Sequence, residues 1–349
     1  MLRALKIQTS AFLFNVNIID NIMLYDVIII GGGPAAVGVA VYAARKKLTS
    51  LLITETFGGQ SIVSDDIQNW IGEPHIAGWE LAQKLEKHAR DYPDVLTIKD
   101  GERIVAVQEI ACSQDRICDF EVATEKGEKY QSKTVIVASG ARRRKLGIPG
   151  ENELNGKGVA YCSTCDAPLF KDKTVAVVGG GNAGLEAVID LIPYASKIYL
   201  VEYGETLKGD AVTQAEIKKN PKVEILLNTQ TVAVLGDKFV QGLKCLDRKT
   251  NKEKTLDVGG LFVEIGSVPN SEIVKGLVEI DKFGQIVTDA KYATTSHAGI
   301  FAAGDVTDDP FKQNNISVGD GVRAALSAYD YLLKRQKMSP AAETARHGD

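Results

Sequence analysis

Long apolar runs are missing from this chain. No stretch of about 18 apolar residues occurs, and a membrane-spanning helix needs about 20. No membrane partner is therefore expected. Cysteine is scarce, with five residues: Cys112, Cys118, Cys162, Cys165 and Cys245. An odd, sparse set excludes the disulfide framework of a small secreted domain. Excess positive charge is missing too. The net charge is −4, and the one basic run, Arg142 to Lys145, reads as solvated surface. Nucleic acid is not expected as a partner. Paired metal-ligand spacing is also lacking. His75, His88, His297 and His347 show no pairing, and there is no second C-x-x-C, so no metal is expected.

What remains is the balance of a globular protein, 44% hydrophobic and 25% charged over 349 residues. That is enough chain for two domains. The first 22 residues fit poorly. Arg3 and Lys6 precede a short apolar patch, Ala11 to Phe14, which Asn15 and Asn17 interrupt. No small-residue cleavage site follows cleanly, so this is a poor signal peptide. Met23 stands directly before the first strand. Residues 1–22 read as a start-site artefact or a loose tail.

Glycine is plentiful and clustered. Residues 24–30 read as a buried strand, followed by GGGPAA, a helix, and a second strand over 50–54. Gly31-x-Gly33-x-x-Ala36 fits the dinucleotide fingerprint. The first glycine permits the tight turn, the second lets a pyrophosphate approach the backbone, and the small third residue lets helix pack on strand. The phosphates then lie at a helix N-terminus, which favours anions. Glu55, near the end of the next strand, reads either as a partner for a ribose hydroxyl or as a solvated loop glutamate.

The pattern repeats. A strand over 174–178 leads into Gly179-x-Gly181-x-x-Gly184, a helix, and a strand over 198–202. Asn182 lies in the turn. Glu202 ends the second strand, where an acid accepts from the 2′-hydroxyl of NADH and repels the 2′-phosphate of NADPH. The segment 202–208 carries no arginine, which favours NADH. Between the units, residues 80–90 read as an amphipathic helix. Strands follow from 97 to 137, with a turn at Lys126–Gly127. Strands recur over 222–266, and a last helix starts near 317.

Cys162 and Cys165 form C-x-x-C, a spacing at which two thiols close a disulfide with little backbone movement. Asp166 follows and reads either as a proton donor to a leaving thiolate or as a turn or cap aspartate. Cys112, Cys118 and Cys245 lack partners at a telling spacing and read as inert.

These residues carry a resemblance over about residues 24–335. IIIGGGPAAVGVAVYAAR, LLITETFGGQ, CSTCDAPLF, VAVVGGGNAGLEAVIDL and IFAAGDVTDDPFKQ, in that order, resemble the low-molecular-weight thioredoxin reductases. Cysteines just before the second nucleotide motif mark this group. Within it, CDAPLF, VEYGETLK and GDGVRAALSAYDYLL look most like the flavoprotein subunit of alkyl hydroperoxide reductase, whose extra N-terminal disulfide domain has no counterpart in this sequence. That points to an acceptor supplied in trans.

The resemblance implies an α/β fold of two Rossmann-like, three-layer ββα dinucleotide-binding domains, with the NAD domain inserted into the FAD domain. Residues 23–140 and 269–336 would bind FAD, residues 141–268 would bind NAD(P)H and carry the C-x-x-C, and residues 337–349 would be a flexible tail. Gly31, Gly33 and Ala36 would hold the FAD pyrophosphate. Gly59, Gln60 and Asn69 would line the flavin. Gly304 and Asp305 would take the ribityl and phosphate portion, and Gln313 would lie beside the ring. The final helix would aim its N-terminus at that ring. Gly140 joins the FAD set, and Gly266, in IGSVPN with Asn270, the NAD(P)H set; both are candidate hinges for a rotation between domains. Cys165 would meet the flavin, Cys162 would attack the partner, and Asp166 would act as acid.

Three departures stand out: Ser139 for the usual Thr, Ala167 for a usual Gly, and Asn314 where a small apolar residue is common. The implied activity is NAD(P)H-dependent protein-disulfide reduction in a cytoplasmic homodimer. The implied partner is thioredoxin or a thioredoxin-like or glutaredoxin-like protein, with a peroxiredoxin served indirectly. The rivals are an NADH oxidase, a peroxiredoxin-reducing component, and a non-enzymatic flavin redox sensor.

Overall fold

The strand expected over 24–30 is two strands belonging to two sheets. Leu24–Tyr25 pairs with Lys129–Ser132, whereas Val27–Ile30 pairs with Ser50–Thr54 and Val135–Val137. The break falls at Asp26. Its carboxylate accepts from the Thr49 amide at 3.0 Å and the Lys133 ammonium at 2.7 Å, which anchors a polar side chain between two apolar runs. This computed structural model describes residues 23–64, 66–112 and 118–338. The reading of residues 1–22 and most of the expected tail lie outside that range.

The first large sheet is parallel, in the order Ile300–Ala302, Val135–Val137, Val27–Ile30, Ser50–Thr54, Leu96–Asp100. Its edge strand comes from far along the chain, so the polypeptide leaves this sheet and later returns to it. Both faces are covered, as parallel sheets require. Along Val27–Ile30, Val27 and Ile29 face the helix Pro34–Arg45, while Ile28 and Ile30 face Phe120 and Val122 of an antiparallel sheet. The second large sheet repeats the design. It runs Val159–Ala160, Leu261–Val263, Thr174–Val178, Lys197–Val201, Val223–Leu226, all parallel. The helix Asn182–Leu191 covers one face. The antiparallel strands Thr229–Gly236, Val240–Asp247 and Lys252–Asp257 cover the other. Two three-layer ββα units, one interrupting the other, are therefore present.

The helices extend further than periodicity indicates. The amphipathic one spans Gly78–Arg90, and the last spans Asn314–Met338, starting earlier than expected. That last helix packs tightly on Pro34–Arg45. A Cβ on Gly321 would lie 2.1 Å from Ala35 O, and one on Gly38 would lie 2.8 Å from Val318 O.

One cysteine reading is corrected. Cys112 and Cys118 face each other across the antiparallel pair Ile104–Cys112 and Cys118–Thr124 and form a disulfide. Their spacing gave no hint, because strand register rather than a motif brings them together. Cys245 is buried, and burial pushes its thiol up to about 11, in keeping with an inert residue.

Candidate functional site

The two glycine turns are built alike. Gly31 and Gly179 both have φ +126°, a conformation open to glycine. A Cβ would strike Ala138 O at 2.2 Å in the first turn and Glu264 O at 2.3 Å in the second. In each turn the backbone just beyond the neighbouring strand crowds the first glycine. Gly33 and Gly181 then open their helices from extended backbone, leaving first-turn amides free for a ligand. Ala36 is fully buried and serves helix–sheet packing. A Cβ on Gly184 would lie 1.8 Å from Gly179 O, so the third glycine is sterically required.

A cavity of about 710 Å³ runs from the first turn to the cysteines. Gly31, Gly33, Glu55, Gly59, Gln60, Asn69, Gly140, Asp305 and Gln313 all line it. Side chains distant in sequence bond across it. Asn69 donates to Gln313 at 3.2 Å, and Gln60 to Asp305 at 3.2 Å. Ser61 donates to Asn314 Oδ1 at 2.9 Å, so the unusual residue at that position has a defined partner. Gly304 is buried beneath Ser317 and does not line the cavity. Glu55 is exposed, with Arg103 at 3.6 Å.

Several residues at this cavity escaped sequence reasoning. Glu102 is buried, lines it, and has one carboxylate oxygen without a hydrogen-bond partner. Lys312 lines it beside Gln313; burial pulls its ammonium below the usual lysine range, and its Nζ donates to Thr307 O at 2.6 Å. The basic run is exposed, as expected, at Arg142, Arg144 and Lys145, yet it also contributes to the cavity. Arg142, Arg143 and Lys145 line the cavity rather than only facing solvent. The volume, the glycine-walled approach and the unpartnered Glu102 oxygen fit a large, polyhydroxylated, anionic ligand such as FAD.

Cys162 and Cys165 are joined as a disulfide and both line the far end of the cavity, as does Asp166. They sit on the single helical turn Ser163–Asp166, with Cys162 just before it. Ser163 Oγ and Thr164 Oγ1 donate to Asp190 at 2.8 and 3.2 Å, fixing that turn to the helix Asn182–Leu191. The same helix begins at the second glycine turn, so one element joins the redox pair to the second nucleotide motif.

Glu202 is buried at the end of its strand. Its two carboxylate oxygens accept from the amides of Gly180 and Gly204, each at 2.6 Å. It thus braces the glycine turn from the expected position. Asn182 Oδ1 accepts from the Asp210 amide at 2.8 Å. An arginine reaches this region after all. Arg248, from the turn before Lys252–Asp257, stacks over the Tyr203 ring at 3.7 Å and donates to Tyr203 O.

The two halves are joined by a two-stranded ribbon, Ala141–Arg143 against Ser267–Pro269. Gly140 and Gly266 flank it, with φ +65° and +96°. Arg142 bonds Asn270 Oδ1 at 2.6 Å and Glu272 at 2.9 Å.

The chain belongs to the pyridine nucleotide-disulphide oxidoreductase family, whose profile matches residues 25–328. FAD and a nicotinamide nucleotide are the cofactors such a family implies, and the two glycine turns suit both. The chain is 42% identical to a Bacillus subtilis protein named NADH dehydrogenase, over 89% of this chain and 59% of that protein. It is 41% identical to the F component of alkyl hydroperoxide reductase from Pseudomonas putida, over 94% of this chain and 62% of that one. It therefore spans about three fifths of the length of these curated relatives. Among solved structures, thioredoxin reductase from Streptococcus pyogenes is 34% identical with a TM-score of 0.82, covering 89% of this chain and 99% of that one. These findings bear out the resemblance drawn from the motifs. Among the described residues, no helix is long and apolar enough to cross a membrane.

Proposed function

We propose that this chain is a protein-disulfide reductase that draws on NADH and delivers reducing equivalents through Cys162 and Cys165 to thioredoxin or a thioredoxin-like protein. One observation carries the reading: the Cys162–Cys165 disulfide opens onto the same cavity as the first glycine turn. Bound in that cavity, FAD would supply the two-electron chemistry linking a nicotinamide to a disulfide. Gly31 and Gly33 would hold its pyrophosphate, Asp305 its ribityl portion, and Asn69 and Gln313 would line its ring. Cys165 would be the thiol that meets the cofactor, and Cys162 the one that attacks the acceptor. Asp166 gives and takes the proton at the sulfur that leaves. Glu202 favours NADH by denying room to a 2′-phosphate.

The redox pair and the second glycine turn share one half of the molecule, and the cavity presents the pair. A swivel at the ribbon lets the second turn take its place, a hinge motion of a common kind. The working unit is a homodimer.

The names of the relatives favour a second reading, a component that reduces a peroxiredoxin or passes electrons from NADH to oxygen. Stopped-flow reduction by NADH and by NADPH, followed by a panel of disulfide proteins, separates these. Rapid reduction by NADH, and multiple turnovers on thioredoxin that vanish in Cys162→Ser, are expected. Oxygen uptake without a partner, or turnover on a peroxiredoxin alone, would move the assignment to the second reading. A colourless protein that takes up no flavin would sink both.

A further inference from the structure

Outside the residues that line the cavity, three metal-ligand types meet at one point. The Glu109 carboxylate, the Cys118 sulfur and a His297 ring nitrogen all lie within 4.8 Å of one another. No spacing motif marks them, because strand register and a distant turn assemble the set. Glu109 pairs with Phe120 across Ile104–Cys112 and Cys118–Thr124, and directly opposed side chains share a face. Cys118 stands two positions from Phe120, so it lies on that face too. The register shifts between Glu109 and Ala111, a bulge of the kind that re-aims side chains. His297 comes from the turn before Ile300–Ala302. Its amide donates to Thr295 Oγ1 at 3.2 Å, and its carbonyl accepts from the Ile300 amide at 3.2 Å. Its ring stands edge-on to Phe120, with centroids 5.4 Å apart.

The imidazole is set up for a cation. Nδ1 faces Ala298 O at 2.7 Å, and Nε2 faces Glu109 Oε1 at 2.6 Å. Both neighbours are acceptors, whereas a neutral imidazole has one N–H to give. With that N–H on Ala298 O, the Nε2 lone pair meets a carboxylate oxygen, and a cation between them satisfies both. A backbone carbonyl on the other ring nitrogen is also what orients a metal-bound histidine. Tetrahedral zinc, with bonds of about 2.0–2.3 Å, keeps its ligand atoms about 3.5 Å apart, so side-chain shifts of about an ångström suffice. The bridge to Cys112 ties up the Cys118 sulfur.

We propose that reduction of the Cys112–Cys118 bridge creates a zinc site from Cys118, His297 and Glu109, so that metal binding reports the thiol state of this sheet. A dithiol supplies the two electrons and two protons. It leaves as a disulfide, the Cys112–Cys118 S–S bond breaks, and two thiols result. Zn²⁺ then takes the Cys118 sulfur as thiolate, whose proton passes to water, together with His297 Nε2 and a Glu109 oxygen. Cys118 is 2% exposed and the Glu109 side chain 39%, so the fourth position opens outward to water. Thiolate, imidazole and carboxylate together suit Zn²⁺ rather than the hard cations Mg²⁺ and Ca²⁺. Bound metal ties the antiparallel sheet to the turn leading into the edge strand of the first large sheet, in place of the broken cross-link.

The test uses the whole chain as purified, carrying Cys162→Ser and Cys165→Ser so that the redox pair offers no competing thiols. Zn²⁺ alone is the probe. It is titrated calorimetrically before and after treatment with dithiothreitol, which is removed without air, and metal analysis gives the stoichiometry. One zinc per chain is expected after reduction and none in the bridged form. Cys112→Ser, which leaves Cys118 unbridged, should bind zinc with no reductant. Glu109→Ala, at a half-exposed position, and His297→Ala should each weaken binding by at least about tenfold, the loss that even an outer partner's removal can bring. Circular dichroism reports that each variant is folded. Equal binding by the bridged and reduced forms overturns the proposal. So does binding that survives His297→Ala and Glu109→Ala undiminished, or a folded, reduced chain that takes up no zinc. Neither nicotinamide nor acceptor enters the assay, so its failure leaves the reductase reading standing.

Discussion

Ser139 and Asn270, 131 positions apart, exchange two hydrogen bonds of 2.8 Å where the chain crosses between halves: hydroxyl to carbonyl one way, amide to carbonyl the other. Asn270→Ala removes the donor to Ser139 O and the acceptor for Arg142. Such losses cost about 1–2 kcal/mol. A thermal melt should show a drop of a few degrees with flavin content unchanged; an unaltered melting temperature would mean the crossing contributes nothing to stability.

Gly140 lines the cavity at φ +65° and opens the ribbon. A β-branched residue there meets a left-handed backbone penalty of about 1–2 kcal/mol. Gly140→Val should lower steady-state turnover at least severalfold. Cys162 should still alkylate normally after chemical reduction, because the pair itself is undisturbed. Full turnover in this variant would argue against a swivel at the ribbon.

Glu202 holds two amides and one glycine turn. Glu202→Ala should raise the KM for NADH about tenfold or more, the scale of a lost charged hydrogen bond, and narrow the gap to NADPH. Removing Arg248 as well should worsen NADPH use, since Arg248 is the cation stacked at Tyr203. Steady-state kinetics with both donors reads this directly.

The Cys112–Cys118 bridge closes a short loop at a strand pair. Chain-entropy reasoning gives such a loop about 2 kcal/mol. Cys112→Ser should lower the melting temperature and leave both the flavin spectrum and disulfide turnover as they were. Lost turnover would place this bridge in the electron path.

Buried Glu264 carries a stability prediction with the opposite sign to an ordinary salt-bridged acid. Its folded pKa, about 7, lies above the ordinary glutamate value of 4.5. Below the lower value both states are protonated and nothing is lost. As pH rises between the two, the unfolded chain releases a proton that the folded chain keeps, and stability falls. Above about pH 7 the full penalty, of order 3 kcal/mol, is present. Glu264→Gln should therefore match the natural protein near the lower value and melt higher at about pH 8.

Much of this was legible in the sequence because backbone sterics write themselves as glycine. Gly31 and Gly179 announce turns that no Cβ can enter, and Cys162 and Cys165 announce their own pairing. Strands over 97–137 and 222–266 were legible too, but the layers they form followed only from the family resemblance. What stayed hidden depends on non-local register. Cys112 meets Cys118 only through the pairing of two strands. Arg248 reaches Tyr203 only through a distant hairpin. Asp26 split an apparently continuous strand because Thr49 and Lys133 wait on either side of it. The basic run looked like surface because its neighbours in space, not in sequence, form the cavity wall.

The paired strands Ala141–Arg143 and Ser267–Pro269 have one more consequence. The inserted half enters and exits through doors set side by side. Its two ends can be joined, or grafted onto another host, without unpicking a single strand of either large sheet. Exchange of this half between related proteins is thus topologically cheap, which makes the second glycine turn and the cysteine pair it carries a transferable cassette.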